Sequence, residues 1–239
     1  MFNQSCVSPS SLQDFGIQSD YQSYIPSRIA VMPCEPWPSR LRFEGLPLTN
    51  ASDKDTDELC DEFDKKILEG FKNQPYMKGY STKAVSQLLN KAGQSKLLQE
   101  RNPLWTYQSD DCHKCKNLAS FYSASIASRL GWRQWLNSFS QSTRNSDGIL
   151  LPFVTFMAEK TFNDRGIIVA SRKVGIAMLL IDSNNGLLIW AGQQAGELRN
   201  QKLEGQIPNQ SLEYPPWSDI NRRLFTEGLW VDFPGRQTL

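Results

Sequence analysis

The chain has 239 residues, 39% hydrophobic and 21% charged, and its 26 Lys and Arg against 25 Asp and Glu leave a formal net charge of +1. At about 150 residues per domain this is one large domain or a domain with a tail, long enough to fold without help from a metal or a disulfide. Near-neutrality supplies no long-range attraction to nucleic acid or acidic lipid, and the longest purely apolar run, residues 176–181, falls far short of the about 20 residues of a membrane-spanning helix.

Residues 1–27 are mostly polar, with Cys6 followed by Ser8, Pro9, Ser10 and Ser11. They contain no positively charged start and no apolar stretch, so a secretory signal is not expected in this numbering, and the literal reading is cytoplasmic if Met1 is the native start. A cysteine near the start, ahead of a flexible polar spacer, also reads as a processed bacterial lipoprotein in which Cys6 takes the lipid. A disordered tail with an incidental cysteine is the other reading.

Ile29, Ala30, Val31 and Met32, closed by Pro33, predict a first, buried strand. Residues 35–54 carry Pro36, Pro38, Gly45 and Pro47, a spacing that breaks helix and central strand alike and predicts a long ordered loop. Asp55 or Thr56 then caps a helix, with Glu58 placed for a capping box and Leu59, Phe63, Ile67 and Phe71 repeating every fourth position; Gly70, Asn73 and Pro75 supply its stop. Residues 76–80 form a second strand, and Ser81 or Thr82 starts a helix bearing Val85, Leu88 and Leu89 that ends near Gly93.

Residues 110–139 predict a long helix broken at Gly131, with Asp110 and Asp111 at its start and Cys115, Leu118, Tyr122, Ile126 and Leu130 at steps of three or four. Residues 148–156 are dense in apolar and β-prone side chains and predict a strand, with Pro152 at a bulge or a sheet edge. Residues 173–182 and 187–192 are two apolar runs joined through Asn185 and Gly186, which tolerate the positive φ of a tight hairpin turn. Residues 197–214 read as a polar loop, and Pro215, Pro216 and Trp217 precede a last helix with Ile220, Leu224 and Leu229. The fold class is α/β (α+β): a mixed β-sheet packed with helices, a long N-terminal tail and a C-terminal helical tail. Residues 1–27 form a flexible tether, and residues 28–239 a single domain with its core in 28–195 and an extension in 196–239.

The chemistry is constrained by the single histidine, His113, which sits between Cys112 and Cys115. A Cys-x-x-Cys pair at a helix start has a thiol suited to disulfide exchange, so a thiol-disulfide oxidoreductase is the enzymatic alternative. Such a motif ordinarily follows a strand, whereas a loop containing Pro103 precedes it here. Zinc held by Cys112, His113 and Cys115 with Cys34 or Cys60 is a second alternative, a cytoplasmic zinc-stabilised interaction domain, but a second tight ligand pair is missing. The third account bridges Cys112 to Cys115, and Cys34, at the end of the first strand, to Cys60, in the first turns of the next helix. Buried thiols at Cys34 and Cys60 remain the other reading. The acidic run around Asp57 and Asp61 lacks the pattern of a calcium loop and reads as a helix start. No cofactor, metal or catalytic residue is expected. Trp132, Trp135, Trp217 and Trp230 suit core or subunit packing better than stacking on a sugar or base.

The order of elements carries a resemblance: Ile29-Ala30-Val31-Met32-Pro33, the helix through Leu59 and Phe63, the strand Ile149-Leu150-Leu151-Pro152, and Leu179-Leu180-Ile181-Asp182 turning through Asn185-Gly186 into Leu187-Leu188-Ile189-Trp190. Over roughly residues 28–195 the chain resembles the bacterial envelope lipoproteins related to the curli-secretion lipoprotein and to the N-terminal domain of TolB. The resemblance implies a lipid-anchored α/β domain, tethered through Cys6 at the periplasmic face of the outer membrane, that acts without catalysis in envelope assembly or secretion. Its partners would be another protein or a second copy of itself, its membrane contact the lipid alone, and nucleic acid no partner. Trp37, Trp217 and Trp230 are the expected contact residues, because large aromatics anchor interfaces.

Overall fold

The computed structural model describes residues 26–36, 53–104, 118–143, 146–203 and 212–235, so Cys6, Trp37, Cys112, His113 and Cys115 lie outside the described residues. The protein is α/β, built on a six-stranded mixed sheet in the order β3 (Lys78–Tyr80), β1 (Arg28–Val31), β4 (Gly148–Asp164), β5 (Ile167–Asp182) and β6 (Leu188–Leu203), with a short β2 (Glu35–Pro36) paired to β4 beside β1. Strand β1 (Arg28–Val31) runs parallel to β3 (Lys78–Tyr80) and to β4 (Gly148–Asp164). Ile29 and Val31 point into one core while Ala30 and Met32 point into the other. Burial on both faces is why this strand reads as an unbroken apolar run.

Strand β2 (Glu35–Pro36) falls inside the stretch predicted as loop and pairs with Phe153 and Val154. Pro152 lies on an inner strand, not at an edge. The Leu150 carbonyl accepts from the Met32 N–H at 3.0 Å, so residues 150 and 152 turn their backbone toward β1 and β2. Pro152 thus sits in the gap between those two ladders, where its missing N–H breaks no pair. The bulge comes at Thr155, facing Gly175, where a Cβ would come within 2.5 Å of the threonine Oγ1.

One face of the sheet carries α1 (Asp53–Lys72) and the C-terminal segment. Leu59, Phe63, Ile67 and Phe71 are all buried there, as their spacing predicts. Gly70 has a role beyond stopping the helix: the indole of Trp230 lies over it, 2.9 Å from where a Cβ would stand. The segment itself is α6 (Trp217–Asn221), a wide turn at Arg222–Thr226 and a tight one at Leu229–Asp232, burying Ile220, Leu224 and Leu229 in three short pieces instead of one helix.

The opposite face carries α2 (Thr82–Lys91), α3 (Leu97–Leu104), α4 (Leu118–Phe121) and α5 (Leu130–Ser142). Ser81 caps α2 by accepting the Ala84 N–H at 3.2 Å. Helix α3 takes Pro103 into a stretch predicted as loop. The predicted long helix breaks at Ala127–Arg129, ahead of Gly131, after a wide turn at Tyr122–Ile126, and Arg129 is extended. The break resets the helical phase, so Tyr122 and Ile126 are buried while Leu130 is 71% exposed.

Asp147 fastens the start of β1 to the start of β4. Its carboxylate accepts from the Ser27 N–H (2.9 Å), the Ser27 hydroxyl and the Arg28 N–H (3.0 Å), and pairs with the Arg28 guanidinium at 3.3 Å. Partial burial pushes this carboxyl up, but the hydrogen bonds from Ser27 and Arg28 and the Arg28 charge outweigh it and hold it below the usual aspartate range. The folded value is below the unfolded one, so the contribution to stability is full above the unfolded value and is lost as pH falls through the folded one. Asp147→Asn is expected to lower stability at about pH 6 and to converge with the parent at about pH 2, in urea unfolding at the two pH values. A gap of equal size at both would show that the carboxylate's charge contributes nothing.

Strands β5 (Ile167–Asp182) and β6 (Leu188–Leu203) form the predicted hairpin. Gly186 has φ +75°, the Asp182 N–H donates to the Leu187 carbonyl at 2.9 Å, and the Asp182 carboxylate accepts from Asn184 N–H and Asn185 Nδ2, each at 2.8 Å. Buried Tyr122 locks the turn to the helical layer: its hydroxyl donates to the Gly186 carbonyl (2.8 Å) and accepts from the Trp132 indole N–H (2.8 Å).

Candidate protein-interaction surface

The sheet is much longer than the helices that cover it. Strands β4, β5 and β6 have 17, 16 and 16 residues, and at about 3.3 Å per residue each spans roughly 55 Å. The helical core on the α2/α5 side reaches only as far as Phe153, Ala177 and Ala191. Beyond that level the three strands continue as an arm, closed by a second hairpin at Arg165 (φ 53°) and Gly166 (φ 82°), with the Gly166 N–H donating to Asn163 Oδ1 at 2.9 Å. Strand β6 takes in residues 197–203, the first part of the stretch predicted as polar loop, and a core boundary at residue 195 falls inside it.

Residues 212–217 cover one face of the arm. Asn200 Nδ2 donates to the Glu213 carbonyl (2.9 Å), Thr161 Oγ1 and the Tyr214 hydroxyl meet at 3.0 Å, and Arg172 Nη1 donates to the Pro215 carbonyl (2.6 Å). Arg172 is the rivet, with its guanidinium 3.8 Å from the centre of the Trp217 ring and its Nε 2.6 Å from Glu159.

The other face of the arm mixes apolar and basic side chains. Lys173 lies over the Phe156 ring at 5.7 Å and Lys160 over Phe162 at 5.3 Å. Glu197 accepts from Ser171 Oγ (2.5 Å) and from Arg199 Nε (2.8 Å), and these contacts, Arg199 first, hold its carboxyl below the usual glutamate range despite partial burial. Leu203 at the tip is 53% exposed. Among the described residues no strand pairs with the outer edge of β6. The site therefore offers an apolar-basic face and, among the described residues, a sheet edge that no strand pairs, both features of protein recognition.

Cys34 and Cys60 are joined in a disulfide, their Cα atoms 5.3 Å apart, tying the turn after β1 to α1. That bond withdraws both thiols from any zinc site, and among the described residues no group of three or more His, Cys, Asp or Glu is placed to hold a metal ion. Trp217 and Trp230, expected at a contact surface, are buried at 8% and 4% exposure. Trp230 stacks on Phe233 (4.6 Å) and meets Phe71 edge-on (5.1 Å), because α1 presents Gly70 and Phe71 as its seat. The arm is not legible in the sequence pattern. Its signals were the Asn163, Asp164 and Gly166 turn and the alternation of β4 past Phe156, both weaker than a core strand's.

No known protein family and no curated protein matches the sequence. Among solved structures the chain is similar to the PelC dodecamer from Paraburkholderia phytofirmans, with 12% identity over 96% of this chain and 100% of that one and a TM-score of 0.43. It is similar to lipoprotein GNA1162 from Neisseria meningitidis at 14% identity, over 84% of this chain and 94% of that one, with a TM-score of 0.37. It is also similar to the LpoB C-terminal domain from Escherichia coli at 11% identity, over 72% of this chain and 84% of that one, with a TM-score of 0.34.

Proposed function

We propose that this chain is a non-enzymatic, protein-binding domain of the bacterial envelope, held at the periplasmic face of the outer membrane by a lipid on Cys6, and that the β4-β5-β6 arm is its binding element. The observation that carries this reading is the arm: three long strands continue past the helical layers with one apolar-basic face and an edge that no strand among the described residues pairs. A fold gains little by extending strands beyond the core they bury, whereas a partner gains both a face and an edge. The Cys34–Cys60 bridge supports an oxidising compartment.

Photoreactive side chains placed in the native host at Lys160 or Arg199, and as a control at exposed Lys91 on α2, test the reading. The arm positions are expected to give defined protein adducts in the membrane fraction while Lys91 gives none. Equal labelling from all three positions, or recovery of the protein in the cytosol, would contradict it.

A further inference from the structure

We propose that the outer edge of β6 pairs with the same edge of a second copy, antiparallel, about a two-fold axis through Leu198, joining two three-stranded arms into one continuous six-stranded sheet. This rests on the arm being a binding element and names its partner and its register.

A two-fold axis perpendicular to a continuous sheet keeps each side chain on its own face, so it must pass through one residue of the strand. The centre of the arm's edge then allows few registers, and the charges distinguish them. An axis at Glu197 sets carboxylate against carboxylate, and one at Arg199 sets guanidinium against guanidinium. An axis at Gly196 or Asn200 pairs neither charge with its opposite. With the axis at Leu198, Glu197 of each copy stands opposite Arg199 of the other, giving two cross-strand ion pairs on one face. On the other face Leu198 meets Leu198, Gly196 faces Asn200, and Gln194 faces Lys202, all free of like-charge opposition.

The side chains are already placed for this. Glu197 and Arg199 share a face of β6 and hold each other at 2.8 Å, with Ser171 of β5 bracing the carboxylate at 2.5 Å. The new contacts therefore extend an ordered network instead of building one. Leu198 packs partly on the core, leaving part of its side chain for the second copy. An isologous contact of this kind closes at two copies, so the exposed edge is removed and does not propagate into a fibre.

Sedimentation equilibrium of the full chain, with near-ultraviolet circular dichroism as the check on folding, tests the register. The parent is expected to dimerise, and Glu197→Arg and Arg199→Glu are each expected to weaken the dimer by about tenfold, because each turns two attractive pairs into two repulsive ones. The double reversal, which restores both pairs with the signs exchanged, is expected to return dimerisation to near the parent value. Leu198→Cys is expected to give a covalent dimer under mild oxidation, since that residue alone meets its own copy. A monomeric parent, or single reversals that leave the dimer unchanged, would overturn the self-pairing. In either case adducts from Lys160 and Arg199 to a different protein would leave the protein-binding reading standing, whereas their absence would remove both.

Discussion

Cys60→Ser is expected to lower the unfolding free energy by about 3–4 kcal/mol, and the same loss is expected of the parent protein in reductant. The bridge closes a loop of 26 positions between Cys34 and Cys60, and constraining a loop of that size in the unfolded chain contributes about 3–4 kcal/mol by chain entropy alone. The effect is local in origin but wide in reach. Cys34 follows β1, in which Ile29 and Val31 are buried, and Cys60 is next to Leu59 and one turn before Phe63 in the core stripe of α1. The bridge thus fixes where the first turns of α1 sit relative to the centre of the sheet. Urea unfolding of the parent and of Cys60→Ser, each with and without reductant, checks the expectation. Parent and variant should differ only in the absence of reductant. Superimposable curves in all conditions would mean that the two thiols are not bonded in the folded protein.

The other large effect is expected at Trp230. Trp230→Ala should cost about 3–5 kcal/mol, the usual loss for a large aromatic removed from a core, and for a chain of this size lower the melting temperature by roughly 10 °C. The indole touches Phe71, Phe225 and Phe233 at centroid distances of 5.1, 5.3 and 4.6 Å and roofs Gly70, so its loss opens a cavity lined by rings that cannot collapse together. Gly70→Ala approaches the same contact from the other side, pressing a methyl group into the indole, and should destabilise by about 1–3 kcal/mol through overpacking. Thermal melting with a near-ultraviolet readout measures both. A Trp230→Ala protein that melts like the parent while failing to bind a partner would return Trp230 to the surface role its sequence context suggests.

Trp230 also shows which parts of the fold can be read from sequence. A tryptophan near the end of a chain, beside Phe233 and Pro234, gives one signal for two outcomes: aromatic anchors of an interface and aromatic residues of a core share composition and spacing. What decides is the partner surface, here Gly70 and Phe71 on a helix some 160 positions earlier. Where a signal is local the sequence is legible. The α1 stripe is a property of one helix face, the Asn185-Gly186 turn is a property of four residues, and the two-sided burial of β1 is written in its unbroken apolar run.

The arm fails that test for a physical reason. Past the helical layers β6 buries little beyond part of Leu198, and Glu197, Arg199, Asn200, Gln201 and Lys202 around it make a composition that reads as loop. It is a strand because β5 beside it supplies a ladder in register from Ile167 to Leu180, and backbone pairing propagates where side-chain pattern is silent. Strand β4 behaves the same way beyond Met157. Helix α3 and the break at Ala127–Arg129 were hidden for the opposite reason: tertiary contacts, such as the Trp135 indole N–H donating to the Leu97 carbonyl at 2.8 Å, override the weak local preference set by Pro103 and Gly131. The Cys34–Cys60 bridge is legible as one reading beside a zinc ligand and buried thiols, since its ends follow from where a strand stops and a helix begins.

The measurement that bears most directly on the account is the intact mass of the protein taken from its native cells, after free thiols have been labelled, with and without prior reduction. Cys34 and Cys60 are expected to take label only after reduction, and the peptide containing Cys6 to carry the added mass of a diacylglyceryl or further acylated cysteine. Free, fully labelled Cys34 and Cys60 with an unmodified Cys6 would contradict it, because neither an oxidising compartment nor a membrane tether would then be left to place the arm in the envelope.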